Sequence, residues 1–389
     1  MKLAIVIHRY GDGVAGGSEA HARGLAEALR GTHDVEVLTT TARDYLSWKN
    51  EFPVGTSDVG GIRVTRYPVQ KTRDLARFAA VSDHVFNEEH TREDEERWIV
   101  ENGPLTPDLV AAVRARTDID FFLCYSYRYY TGVKPALAAG ARAILVPTAE
   151  EDDAIRLGVF GDLFRSARGF LYLTPEEQEL IEKAAGGRVA PSRIIGSGLN
   201  VHAEGPAPRL ALGVPEAYVF YAGRIDRNKG VDTLFRYYQW LLDEWPECPP
   251  LLLAGHPVLD IPQHPKIRHL GYVSEAEKSS LIEGAEVLLM PSRYESLSMI
   301  VLEAWALGCP VLANAACAVL EGQCRRSNGG LYYRDYAEFR LMLRRIAGDA
   351  SLRAAMGAQG KTYVLANYSW ERAAQETSDL LRELAGDAR

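Results

Sequence analysis

Short, wholly apolar runs separated by amphipathic stretches dominate the chain from its first residues. Leu3-Ala4-Ile5-Val6-Ile7 has the make-up of a strand buried on both faces, as in a parallel sheet. A loop from His8 to Gly17 follows. Ser18 is then placed to cap a helix in which Ala20, Leu25, Ala26 and Leu29 fall largely on one stripe. Val35 to Leu38 predicts a second strand, and Ile62 to Val64, Phe121 to Tyr125, Ala143 to Val146 and Phe170 to Leu173 predict others. Glu88 to Arg97 is rich in charge and reads as a solvated helix face. Thr174-Pro175-Glu176-Glu177 has the spacing of a capping box, with proline at the first helical position and Gly186 able to end the helix.

Residues 196 to 213 break this rhythm with several Gly and Pro, as an interdomain connection does. Alternation then resumes. Tyr218 to Ala222, Leu251 to Ala254, Val287 to Met290 and Val311-Leu312 predict strands, with helices from about Val231 and over Glu275 to Ile282. A helix from about Ser369 puts Ala373, Thr377, Leu380, Leu381 and Leu384 on one face, which must dock on something. Strand–helix alternation on both sides of a linker predicts an α/β protein of two doubly wound, Rossmann-like domains facing a cleft. The first domain spans residues 1–200, with the helix 369–389 packing on it, and the second spans 201–368.

Bulk composition narrows the class. A net charge of −8 disfavours a nucleic-acid partner. Five cysteines, an odd number with no CxxC pair, suggest neither a disulfide framework nor a zinc site. The apolar segment Ser298 to Leu320 has nearly the length of a membrane span, but Glu303, Gly308, Pro310 and Asn314 interrupt it. With no leader-like stretch after Met1, a cytoplasmic protein is expected. Lys71, Arg73 and Arg77 read as a solvated helix face, with peripheral contact at the inner face of a membrane as the alternative.

The chemistry concentrates in two stretches of the second half. Pro291-Ser292-Arg293-Tyr294-Glu295-Ser296-Leu297-Ser298 follows a strand and enters a helix, so it lies where parallel sheets bind ligands. The amides of Ser296, Leu297 and Ser298, with the helix dipole behind them, suit an anion such as a diphosphate. Glu295 and Glu303 can accept hydrogen bonds from sugar hydroxyls. Glu303 falls within an apolar helix, and a buried carboxylate there needs a partner. The second stretch, Gly223-Arg224-Ile225-Asp226-Arg227-Asn228-Lys229-Gly230, again joins a strand to a helix. Arg224 and Lys229 flank it and can clamp a diphosphate as charge builds on it. A surface turn with solvated bases is the plainer reading of either stretch alone.

Taken together, Gly223-Arg224, Lys229-Gly230 and the Glu295 to Glu303 spacing within PSRYESLSMIVLEAWALGCPVLA resemble the donor-site signature of retaining family-4 glycosyltransferases of GT-B fold. Gly16-Gly17-Ser18-Glu19 is similar to the glycine loop of that family's amino-terminal domain, and Tyr368-Ser369-Trp370 to the start of its crossing helix. The resemblance implies that Arg224 and Lys229 bind the diphosphate, Glu303 the ribose and Glu295 the transferred sugar. It places Tyr272 and Val273, after Gly271, by the nucleobase. It further implies a UDP- or GDP-linked sugar as donor, no required cofactor or metal, and a carbohydrate, lipid-linked or small-molecule acceptor held by the first domain.

The first half is less decisive. The string from Gly11 to Gly16 spells GxGxxG, but Arg9-Tyr10 separates it from the strand and no acid ends the second strand, so a nicotinamide enzyme is not favoured. Gly16 and Gly17 more plausibly let backbone approach the donor. Asp118-Ile119-Asp120 precedes a strand and reads as an entry turn, not a metal motif. Tyr125, Tyr127, Tyr129 and Tyr130 suit either a stacking platform or ordinary packing. Where many members of the family place a His after the strand ending at Val146, this chain has Glu150 and Glu151. Glu150 is therefore the candidate to orient the transferred sugar or take the acceptor proton, with a solvated acidic loop the equal alternative. A nucleotide-sugar epimerase or a phosphorylase on the same frame, or a non-catalytic sugar-nucleotide-binding subunit, remain rival readings.

Overall fold

A computed structural model describes residues 1–14 and 16–386, so Ala15 of the GxGxxG string lies outside the described residues. The chain forms two compact units, Met1–Gly198 with Ser369–Arg389, and Leu199–Tyr368.

The first unit runs β1 (Lys2–Val6), α1 (Gly17–Leu29), β2 (Asp34–Thr40), β3 (Gly55–Val59), β4 (Ile62–Tyr67), α2 (Leu75–Asn87), α3 (Arg92–Asn102), α4 (Pro107–Ala115), β5 (Phe121–Tyr125), α5 (Tyr130–Ala139), β6 (Ala143–Val146), α6 (Gly158–Ser166), β7 (Gly169–Tyr172), α7 (Pro175–Ala185) and β8 (Ser192–Ile194). Its sheet has the order β3-β4-β2-β1-β5-β6-β7-β8. Every pairing is parallel except β3 with β4, which form a hairpin at the edge. The central strands β1, β5, β6 and β7 are almost wholly buried, as their unbroken apolar runs require.

The second unit runs α8 (Ala207–Ala211), β9 (Val219–Ala222), α9 (Val231–Glu244), β10 (Leu251–Ala254), β11 (Ile267–His269), α10 (Glu275–Gly284), β12 (Val287–Met290), α11 (Met299–Ala306), β13 (Val311–Asn314), α12 (Ala318–Ser327), β14 (Gly330–Tyr333), α13 (Tyr336–Ala347) and α14 (Ala350–Asn367). Its sheet, β11-β10-β9-β12-β13-β14, is parallel throughout. The last helix, α15 (Trp370–Gly386), returns to the first unit, packing on α1, β7 and β8. Ala373, Thr377, Leu380, Leu381 and Leu384 are its buried stripe, as their spacing predicts.

Several local readings change. Gly16, not Ser18, is the N-cap of α1; Ser18 lies inside the helix and donates to Glu19. Thr174 accepts from the Glu177 amide, but the Glu177 carboxylate does not return the bond to Thr174 N, so the capping box is half made. Glu177 instead accepts from Ala149 N and Leu173 N, each at 2.6 Å. The charged run near Glu88 is not wholly solvated: Glu95 is buried and accepts from the first amides of α6, Gly158 N at 2.8 Å and Val159 N at 2.7 Å. Lys71 and Arg77 both pair with Glu101, while Arg73 bonds to Asn102, so these bases are tied down and do not form a solvated helix face. Among the described residues no helix is long and apolar enough to cross a membrane, and the segment 298–320 is divided among α11, β13 and α12. The five cysteines are all buried and unbridged.

Candidate active site

In the second unit, β9 and β12 are neighbours, so the loops leaving their carboxyl ends meet. The β9 loop carries Gly223, Arg224 and Lys229, and the β12 loop carries Glu295, Ser296, Leu297 and Ser298. Contact between the loops is close. A side chain at Gly230, which has φ of 71° at the cap of α9, would strike the Pro291 carbonyl. Asp226 fixes the β9 loop from within: it accepts from Lys229 N at 2.8 Å and pairs with Arg224 at 3.0 Å. The β12 loop is held by Asn314, which donates to Pro291 O at 3.0 Å, and by Gln323, which donates to Leu297 O at 2.7 Å.

Two of the expected residues touch. Lys229 Nζ lies 2.6 Å from Glu295 Oε1, and Glu295 is buried. An ammonium has three donors, so Lys229 can keep this bond and still reach an oxyanion. Ser298 precedes α11 with φ of 65°, a conformation that costs a non-glycine residue of order 1–3 kcal/mol. Its hydroxyl is buried with no hydrogen-bond partner among the described residues. A strained residue with an orphaned hydroxyl at a helix N-terminus is a site awaiting a polar ligand.

Glu303 lies about 7 Å further along α11 at helical rise. Its partner, which the sequence did not indicate, is Lys278 of α10 at 2.9 Å. Burial raises the pKa of Glu303 against the pull of Lys278. Burial likewise opposes the Lys278 charge, yet Glu303 and Glu275 hold its pKa above the ordinary value. Tyr272 and Val273 follow β11 at the same sheet edge, joined to the β10 end where Gly255 N donates to Gly271 O at 2.9 Å. Tyr272 is 91% exposed, so its ring offers a bare face.

The remaining candidates belong to the first unit. Gly16 and Gly17 open α1, and a side chain at Gly16 would strike the Glu19 carboxylate, which folds back towards β1. There Glu19 meets His8 at 2.9 Å and Arg9. Burial would raise the Glu19 carboxyl, but His8 and the Arg9 guanidinium hold it well below the usual carboxylate range. Burial in turn lowers the His8 pKa. Glu150 sits half-buried in the loop after β6, which the buried Glu177 grips through Ala149 N. Burial pushes Glu177 up to about 8, against those two amide bonds.

Tyr125 and Tyr127 form no stacking platform: both are buried, one bonded to His21 at 2.9 Å and the other to Asp152 at 3.0 Å. Asp118 and Asp120 pin the entry to β5 through Lys2 and Arg116.

Comparison with known proteins now bears on this site. Residues 216–349, which contain both loops, match the family model for glycosyl transferases group 1. A D-inositol 3-phosphate glycosyltransferase of Corynebacterium urealyticum is 29% identical over 197 residues, covering 45% of this chain and 46% of the relative. A D-inositol 3-phosphate glycosyltransferase of Streptomyces avermitilis is 30% identical over 237 residues, covering 53% and 49%. The chain thus spans about half the length of the curated relatives it matches. Among solved structures, the sucrose-phosphate synthase of Thermosynechococcus elongatus superposes with a TM-score of 0.72 at 20% identity, over 99% of each chain. The Anabaena protein HepE, solved in complex with UDP, gives 0.69 at 16% identity, over 98% of this chain and 100% of that one. The architecture of two parallel-sheet, Rossmann-like units is therefore the GT-B fold, and through residues 216–349 the chain is a member of the glycosyl transferases group 1 family.

Proposed function

We propose that the protein is a retaining, metal-independent glycosyltransferase that moves a sugar from a UDP- or GDP-linked donor to an acceptor hydroxyl. In this reading the second unit holds the donor and the first holds the acceptor. The observation that carries it is the Lys229–Glu295 contact between the β9 and β12 loops, beside the orphaned Ser298 hydroxyl. An ammonium, a helix N-terminus and an unsatisfied hydroxyl converge there, and each favours a diphosphate.

The roles follow from the geometry. Lys229 and Arg224 neutralise charge on the departing diphosphate, and Ser296, Leu297 and Ser298 supply donors where that charge develops. Glu295, oriented by Lys229, accepts from a hydroxyl of the transferred sugar, and Glu303, held by Lys278, from the ribose. Tyr272 stacks on the base, with Val273 beside it, while Gly223 leaves the loop open. Gly16 and Gly17 permit close backbone approach to the donor, and Glu150 orients the sugar or takes the acceptor proton. The relatives named for D-inositol 3-phosphate transfer and the UDP complex of HepE support a nucleotide sugar as donor class.

A donor-turnover assay with each nucleotide sugar tests this. Charge-assisted hydrogen bonds contribute roughly 1.5–3 kcal/mol each, so Arg224→Ala and Lys229→Ala should each lower turnover or affinity about ten- to a hundredfold. Undiminished activity in both variants would refute the assignment. NMR of the product should show the donor's anomeric configuration kept, and a chelator should leave the rate unchanged.

A further inference from the structure

The carboxyl edge of the first sheet carries a concentration of guanidinium groups. The strands β2, β1 and β5 are adjacent, and each is followed three residues later by an arginine: Arg43 after Thr40, Arg9 after Val6, and Arg128 after Tyr125. Arg73 joins them from the segment after β4, the next strand outward. Arg9 donates to the Arg43 carbonyl at 3.0 Å, and the Arg43 guanidinium fills the space that a side chain at Gly13 would take.

These cations are unevenly matched. Arg9 meets Glu19, and Arg128 pairs with Asp152 at 2.6 Å. Asp44 is turned towards the amides of Leu46 and Ser47. Arg73 has only neutral acceptors, the carbonyl and side-chain oxygens of Asn102, each at 2.8 Å. It lies over the Trp48 ring at 4.7 Å and the Phe78 ring at 5.1 Å. Burial, together with the charge of Arg128, lowers its pKa to about 10, as expected for a cation that lacks an anion. Arg43 is exposed and forms no ion pair among the described residues. Beneath them, His8 donates from Nε2 to Glu19, which leaves Nδ1 an acceptor, buried with no partner among the described residues.

We propose that this arginine arc binds an oxyanion on the acceptor, so that the acceptor is a polyol bearing a phosphate or carboxylate and not a neutral glycan. The inference rests on the transferase reading, with the acceptor in the first unit. A planar guanidinium matches phosphate and carboxylate oxygens with paired hydrogen bonds, and successive arginines along a sheet edge can hold such a group while leaving its hydroxyls exposed.

The test is a thermal-shift and calorimetric titration of the full chain, saturated with UDP or GDP so that the donor site is filled. Glucose 6-phosphate, glucuronate, inorganic phosphate and glucose are the probes. Glucose 6-phosphate and inorganic phosphate should raise the melting temperature while glucose does not. Glucuronate separates carboxylate from phosphate recognition. Arg43→Gln and Arg73→Gln should each weaken the sugar phosphate about tenfold or more, and Arg73→Lys should restore part of the loss. Arg43 is exposed, so its variant keeps the test valid if Arg73→Gln fails to fold. The arc is overturned if no anion binds, if glucose binds as well as its phosphate, or if Arg43→Gln changes nothing. Failure of both UDP and GDP to bind would sink the donor reading instead, because the anion response is scored on Arg43 and Arg73 alone.

Discussion

His21 shows how a residue's role depends on neighbours distant in sequence. It is buried in α1, with Nδ1 2.9 Å from the Tyr125 hydroxyl and Nε2 2.8 Å from the Gly196 carbonyl. The carbonyl can only accept, so Nε2 carries the proton and Nδ1 accepts from tyrosine. Burial lowers the pKa to about 4. Between the ordinary value near 6.5 and 4, the unfolded chain binds a proton that the folded one refuses, so stability falls as pH falls through that window. Integrated, the loss is at most about 3 kcal/mol. Chemical denaturation at stepped pH should show it, and His21→Gln should flatten the curve; an equal pH dependence in both proteins would contradict the assignment. The same distance in sequence explains what could be read at Glu303. An acid inside an apolar helix demands a partner, and that demand was legible. Lys278 was not, because it arrives from a different helix. Lys278→Ala should strand the half-buried carboxylate and cost about 2 kcal/mol, measurable by urea unfolding.

Among elements, legibility followed burial. The strands β1, β5, β6, β9, β10 and β12 are short apolar runs because both faces are covered, and the sequence displays them openly. The edge strands escaped notice. β3 is polar and exposed, β8 and β11 have three residues each, and β14 opens with glycine, so none shows a period to detect. The boundary at the cap of α1 was misplaced because Ser18 is a common capping residue, while the Glu19 carboxylate needs the room that glycine leaves at position 16. In α15, by contrast, the apolar stripe stated its own docking face. Leu381 is fully buried there, so Leu381→Ala should cost about 2–5 kcal/mol and lower the melting temperature of the first unit. A change under 1 kcal/mol would mean that the helix does not contribute to that unit's core.

For the molecule as a whole, two parallel sheets of eight and six strands follow from the alternation along the chain, and the break near residue 198 was marked by glycine and proline. The chemistry was legible where loops leave adjacent strands, since strand order alone brings Lys229 to Glu295. It was less legible in the first unit, where tyrosines at a sheet edge proved to be core and arginines spread over four segments came together. A nucleotide that binds only the folded second unit should stabilise that unit selectively, by about 2.7 kcal/mol at a hundredfold excess over its Kd. Hydrogen exchange should then slow across β9, β12 and α11 more than across the first sheet. The most direct measurement is the structure of the protein bound to UDP or GDP. The account predicts the terminal phosphate within hydrogen-bond distance of both Lys229 Nζ and Ser298 Oγ, with the ribose at Glu303. A nucleotide bound away from the β9 and β12 loops, with Lys229 still engaged only by Glu295, would contradict it.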